Sequence, residues 1–164
     1  MEHTVCFIGH RKIENTPALR ERLQKILSEL IETGTVTFIF GDHSEFNDLC
    51  YEMVTALKEK HPEIMRKKFR KDYEDADEYT MQFLKTGLEE NVCPKGIGNA
   101  GRAGYIKRNQ AMISESDICV FYYDENYRPA SRRNDHNLIK QPKSGTALAF
   151  RYAQTKKKRI INCF

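Results

Sequence analysis

No tryptophan occurs among the 164 residues, and proline and glycine are sparse at 5 and 9. That composition excludes collagen-like repeats and Pro/Gly-rich low-complexity chains. Long hydrophobic runs are also missing. The longest, Ile118-Cys119-Val120-Phe121-Tyr122-Tyr123, falls far short of the ~20 apolar residues that a membrane-spanning helix requires. The 5 cysteines are odd in number and scattered, with no C-x-x-C pair, which argues against a disulfide framework and against a structural zinc site. Neither sign of charge dominates: 27 Lys and Arg against 23 Asp and Glu leave a net +4, too little to imply a nucleic-acid partner by itself. The amino terminus, Met1-Glu2-His3-Thr4-Val5, lacks the basic segment and small-residue cleavage site of a secretory signal. These absences predict a soluble cytoplasmic protein with reduced thiols, no membrane association and no bound metal.

What is present is a globular balance, 40% hydrophobic and 30% charged residues, at a length suited to one domain over residues 1–164. Val5-Cys6-Phe7-Ile8 is a continuous apolar run that stops at Gly9 and reads as a strand buried on both faces. Thr16-Pro17 supplies an N-cap and a first-turn proline. Leu19, Leu23, Ile26, Leu27, Leu30 and Ile31 then recur at helical spacing up to Gly34. Val36 to Phe40 reads as a second strand, again stopping at a glycine. Ser44 caps a second helix with Phe46, Leu49, Cys50, Met53, Val54 and Leu57 on one face, ending near His61-Pro62.

This βαβα opening argues for a Rossmann-like α/β fold, a mostly parallel sheet with helices on both faces. The far end repeats the pattern with a strand over Ile118–Tyr123, a helix over Thr146–Lys156 and a last strand from Ile160 to Cys163. Between them, Ile64–Tyr73 predicts a third strand, charged enough to suggest a place near an edge, and Glu74–Lys85 and Tyr105–Glu115 predict helices. The polar stretch from Asp124 to Gly145 predicts a long mobile loop.

In such sheets ligands bind beyond the carboxyl ends of the strands, where helix amino termini favour anions. Three segments fall there: Gly9-His10-Arg11, Gly41-Asp42-His43-Ser44 and Lys143-Ser144-Gly145-Thr146. Each glycine admits a close backbone approach, and Arg11 offers a bidentate fork. The serines, Thr146 and Lys143 suit an anion nest. Any one of these segments is equally explained by turn sterics; together they point to a phosphorylated or nucleotide-like ligand. A fourth element, Gly101 to Met112, places Arg108 and Met112 one turn apart, with Tyr105 and Asn109 on a neighbouring face. Two readings stay open there: an arginine gripping an anion beside apolar walls, or Met112 in the core and Arg108 on a solvated face.

His10 is read as a general base, a hydrogen-bond donor or a satisfied loop histidine. Cys6 and Cys119 lie in apolar strands and read as core residues. Gly96 to Gly101 spells G-x-G-x-x-G but follows no clear strand, so it carries no dinucleotide fingerprint. The basic run Lys156-Lys157-Lys158-Arg159 is read as a solvated helix end favoured by the helix dipole, with a phosphate-backbone contact as the alternative.

Cys6-Phe7-Ile8-Gly9-His10-Arg11, the run Arg108-Asn109-Gln110-Ala111-Met112-Ile113 leading to Ser116-Asp117, and Ser144-Gly145-Thr146-Ala147 resemble the SLOG superfamily, specifically its YpsA-related branch. The resemblance spans Val5 to Cys163 and is loose from about Ile64 to Gly104. It implies a Rossmann-like sheet and a nucleotide or nucleotide-derived ligand. Some members act as sensors in bacterial conflict and anti-phage systems. The LONELY GUY enzymes of the superfamily are phosphoribohydrolases with an R-x-x-x-M motif, matched by Arg108 and Met112, and a P-G-G-x-G-T-x-x-E loop, matched at Gly145 and Thr146. Here Lys143 and Ser144 replace the paired glycines, and Ala149 stands where the catalytic glutamate would be. Alanine can neither stabilise an oxocarbenium-like centre nor activate water, so that mechanism does not carry over. Many relatives are glycine-rich where this chain has Asp42-His43-Ser44-Glu45.

Three functions follow, in order. The first is a binding or sensing domain for a nucleotide or ADP-ribose-like ligand, requiring no cofactor. Gly9, Arg11, Gly41, Ser44, Lys143, Ser144, Gly145 and Thr146 would hold phosphates, with His10, Tyr105, Arg108, Asn109 and Met112 around the rest. The second is an N-glycoside hydrolase whose carboxylate is Glu45, Asp48 or Asp124, with His10 as a further catalytic candidate. The third is a single-stranded nucleic-acid module, as in another branch of the superfamily, drawing on Arg66–Lys71, Arg132-Arg133 and the Lys156 run. Pairing into a homodimer fits a domain of this kind.

Overall fold

The computed structural model describes residues 1–71, 77–84, 87–96, 101–127 and 144–164. Among the described residues eleven elements alternate: β1 (His3–Gly9), α1 (Pro17–Glu32), β2 (Thr35–Phe40), α2 (Glu45–Lys58), β3 (Met65–Phe69), α3 (Glu78–Leu84), β4 (Glu90–Val92), α4 (Arg102–Glu115), β5 (Ile118–Tyr122), α5 (Gly145–Thr155) and β6 (Arg159–Asn162). The strands form one six-stranded sheet in the order β4-β3-β2-β1-β5-β6, and every pairing is parallel. The α/β architecture read from the sequence is the one observed. The chain winds outward from β1 to β4, then crosses through α4 to β5 on the other side. β1 and β5 therefore flank the point where the winding reverses, the position beyond whose carboxyl ends open α/β sheets form their ligand crevice.

The central strands are predominantly apolar because both faces are covered. Phe7 stacks on Phe38 and Phe40 with centroids 6.0 and 5.2 Å apart, and Phe46 of α2 meets its edge. With Leu23, Leu27 and Leu30 of α1 they form the core on one face. The opposite face packs Cys6, Ile8, Ile39, Phe69, Cys119 and Phe121 against Met112 and Ile113 of α4 and Ala149 and Ala153 of α5. Each fully buried Leu, Ile, Phe or Met among them contributes about 1.5–3 kcal/mol. Cys6 and Cys119 face each other in register across β1 and β5, and burial pushes the Cys6 thiol above its ordinary range. Ala149 is 3% exposed and contributes to this core.

The local signals act as chemistry predicts. Thr16 accepts from the Leu19 amide ahead of Pro17. Gly34, at φ +98, turns the chain out of α1 into β2, a conformation that costs glycine little. The third strand falls within the expected span and lies near an edge, second from the end of the sheet. It covers Met65–Phe69, with the three-residue β4 outside it. Its charges are neutralised locally. Arg66 donates to Glu89 in a bidentate pair and to Thr55, Lys58 pairs with Glu89 at 3.2 Å, and Lys67 pairs with Glu90 of β4 at 3.0 Å.

Candidate functional site at the carboxyl edge of the sheet

Four chain segments meet beyond the carboxyl ends of β1, β2, β3 and β5. The turn after β1 is welded to the start of α2. Ser44 Oγ donates to the His10 carbonyl at 3.1 Å and accepts from the Asn47 amide. The Glu45 amide donates to the Arg11 carbonyl, and Glu45 Oε2 accepts from the Ile13 amide at 2.9 Å. Asn47, 3% exposed, accepts from the Gly41 amide at 2.8 Å. The amino terminus of α2 is thus saturated by its own chain, and its first turn carries Glu45 and Asp48, whose charge opposes an incoming anion. Arg11 is exposed at this rim.

Gly9 and Gly41 are each required by a protein neighbour. A Cβ at Gly9 would lie 2.4–2.6 Å from side-chain atoms of Phe46. One at Gly41 would lie 2.9 Å from Arg108 Nη2. Arg108 is 5% exposed. Its Nη1 donates to the Asp42 carbonyl at 3.0 Å and pairs with the Asp42 carboxylate, while Nη2 donates to Asn109 Oδ1 at 3.0 Å. Tyr105 lies alongside, with Lys71 Nζ 4.7 Å and Arg108 Cζ 5.3 Å from its ring centroid. Met112 is fully buried in the core. Between the two readings of this helix, Met112 takes the core position, while Arg108 is buried and engaged by Asp42 instead of lying on a solvated face.

At the crevice itself His10 is 2% exposed. Its Nε2 accepts from the Asp124 amide at 2.9 Å, so the proton of the neutral ring resides on Nδ1. That atom is buried without a hydrogen-bond partner. Burial lowers the His10 pKa to about 4, so the ring is neutral near pH 7 and suited to donating a hydrogen bond. The Tyr127 ring stacks on it at 3.9 Å, held by a turn in which Tyr127 N donates to the Asp124 carbonyl and Asn126 N to Asp124 Oδ1. At the start of α5, Ser144 caps the helix by accepting from the Ala147 amide at 3.1 Å. Gly145 is exposed, nothing lies within 4 Å of where its Cβ would be, and no acidic residue occupies the first turn. Thr146 is 6% exposed. The two terminal amides of α5 are orphans of helix geometry.

The structure brings His10 and Asp124 into contact at the end of β1 and β5, with Arg11 exposed beside them, and the topology sets Ser144, Gly145 and Thr146, at the start of α5, on the same edge of the sheet. A second cluster, at the ends of β2 and β3, gathers Gly41, Tyr105, Arg108 and Asn109. Lys143 and the greater part of the expected 124–145 loop, residues 128–143, lie outside the described residues, as does part of the Gly96–Gly101 motif. Of the carboxylates considered for hydrolysis, Glu45 and Asp124 each hold a backbone amide, and Asp48 is exposed on the first turn of α2. Asp42, Asn47, Lys71 and Tyr127 escaped the sequence reading as site residues. Asp42 carried a signal, a carboxylate directly after a strand-ending glycine; the others carried none. Among the described residues no group of three or more His, Cys, Asp or Glu side chains is placed to hold a metal ion, and no helix is long and apolar enough to cross a membrane.

No protein-family model matches this chain, and no curated protein matches it. Among solved structures, it is similar to DNA processing protein A from Helicobacter pylori, whose structure addresses a single-stranded DNA binding mode. The TM-score is 0.59 at 16% identity, over 96% of this chain. The chain spans 63% of that protein's length. The similarity is one of fold, and it agrees with the Rossmann-like sheet implied by the SLOG resemblance.

Proposed function

We propose that the chain binds a nucleotide or nucleotide-derived, ADP-ribose-like ligand in the crevice between the carboxyl ends of β1 and β5, in the manner of a YpsA-related SLOG domain. The observation that carries this reading is the buried, neutral His10, whose Nδ1 proton has no partner while an aromatic ring covers one face of the imidazole. A buried donor without an acceptor costs about 1–3 kcal/mol, a cost that a ligand oxygen would relieve. The first amides of α5, at Gly145 and Thr146, would supply a phosphate subsite of the right polarity, and Arg11 stands at the rim. Binding without turnover suits a site in which Ala149 belongs to the core and Glu45 and Asp124 secure backbone amides. The test is a thermal-shift panel of nucleoside monophosphates, NAD, ADP-ribose and cyclic nucleotides. A ligand of the folded state stabilises it by about 2.7 kcal/mol at a hundredfold excess over Kd. A shift confined to one class supports the reading; no shift across the panel defeats it.

A second reading, binding of single-stranded DNA, is favoured by the fold shared with DNA processing protein A. Cations beside aromatic rings add to it: Arg66 and Lys68 lie over Tyr51, and Lys71 lies over Tyr105, and rings of this kind can stack bases. Its signature is affinity for a thymidine oligonucleotide that falls steeply and log-linearly with salt.

A further inference from the structure

The turn after β2 holds a carboxylate where its surroundings are built for an anion. Asp42 is 6% exposed. One carboxylate oxygen and the backbone carbonyl both accept from Arg108 Nη1. The other oxygen accepts from the Lys71 amide at 3.4 Å and lies 3.6 Å from His43 Nε2. Lys71 is 8% exposed and sends its ammonium over Tyr105. Lys68 lies within electrostatic reach of Asp42, Asp48, Arg70 and Arg108; burial and then the charge of Arg70 lower its pKa. The carboxylate is aimed inward by a strained backbone: His43 sits at φ +58, a left-handed conformation that a residue with a side chain adopts at a cost. Gly41 leaves room for the guanidinium to lie against the turn.

A doubly contacted carboxylate among a buried guanidinium, a backbone amide and an ammonium group has the donor set of a phosphate site. We propose that Asp42 is an internal anion occupying a phosphate-binding subsite formed by Arg108, the Lys71 amide and the Lys71 ammonium that shares the Tyr105 ring with Arg108, and that it excludes external phosphate from this subsite. Asp42 thereby decides which part of the edge a ligand's phosphate can use. The subsite is separate from the β1–β5 crevice, so this inference stands or falls independently of the nucleotide reading.

The experiment compares the full chain with its Asp42→Asn variant, using inorganic phosphate as the probe and chloride at matched ionic strength as the reference. The variant keeps the shape but removes the internal charge. It should bind phosphate at least about tenfold more tightly than the wild type, with a melting temperature that rises in phosphate and not in chloride. Arg108→Gln in the Asp42→Asn background should abolish that gain. If Asp42→Asn unfolds in chloride, phosphate should restore its native circular dichroism, and Asp42→Ser should behave in the same way. An unchanged phosphate response in Asp42→Asn overturns the proposal. So does a gain that survives Arg108→Gln, or failure of both Asp42 variants to fold in concentrated phosphate.

Discussion

His10 and Gly9 sit next to each other, yet they differ in how openly their roles were written. Gly9 ends an apolar run, a pattern shared by glycines that admit a ligand and glycines that admit a side chain. Only the structure identifies its neighbour as Phe46, and the contact includes the Phe46 Cβ, which cannot rotate away. Gly9→Ala should therefore destabilise the fold by about 1–3 kcal/mol through overpacking, measured as a lower denaturation midpoint. A variant as stable as the wild type would show that the strand end relaxes freely. His10 has a depressed pKa, about 4 against an ordinary 6.5. Below pH 6.5 the unfolded chain takes up a proton that the native ring refuses, so stability falls from pH 6.5 to about 4. The loss at pH 4 amounts to about 3 kcal/mol. His10→Gln, which retains an acceptor for the Asp124 amide, should flatten the stability curve across that window. An acid limb identical in the two proteins would refute the assignment.

At the scale of elements, α1 and α2 were legible because each has an unbroken apolar period and a cap at its start, and β1, β2 and β5 because each is a short apolar run. β4 was not, since Glu90-Asn91-Val92 has neither length nor apolar pattern. β3, expected near an edge, lies next to it, and its five residues include Arg66, Lys67 and Lys68. Side-chain pairing resolves the conflict between charge and an interior position. Arg66 is 7% exposed and is held by Glu89, which also pairs with Lys58. Those partners hold the Glu89 carboxyl at a pKa of about 2. The group is depressed, so its stabilisation is complete above the unfolded value near 4.5 and is lost as pH falls toward 2. Glu89→Gln should cost on the order of 3 kcal/mol at neutral pH, because it leaves Arg66 buried without its counter-ion. It should also remove the part of the acid limb below pH 4.5. Urea titrations of the two proteins at pH 7 and pH 3 would measure both effects, and equal differences at the two pH values would contradict this assignment.

For the whole molecule, the alternation of strand, turn and helix was enough to specify a parallel sheet with both faces covered, and with it the edge where ligands bind. The division of that edge was not legible, because it depends on pairings between residues far apart in the chain. Arg108 and Asp42, 66 positions apart, cancel each other. His10 and Asp124, 114 apart, fix a tautomer that no local pattern announces. The crevice and the Asp42 subsite thus become two regions with opposite availability to an anion. Nucleotide and single-stranded DNA readings separate at this scale through salt. A compact nucleotide should lose little affinity between low and physiological salt, whereas a strand neutralising several phosphates loses orders of magnitude. Anisotropy titrations with a labelled nucleotide and a labelled thymidine oligonucleotide at two salt concentrations would distinguish them.

The central claim is that the ligand occupies the β1–β5 crevice. Amide chemical-shift mapping of the isotopically labelled chain during titration with ADP-ribose tests it most directly. The account predicts saturable shifts at Asp124, Tyr127, Gly145 and Thr146, a downfield move of the His10 ring proton, and silence at Asp42 and Lys71. Shifts centred on Asp42 and Lys71 with the crevice unmoved, or no saturable shift at all, would contradict it.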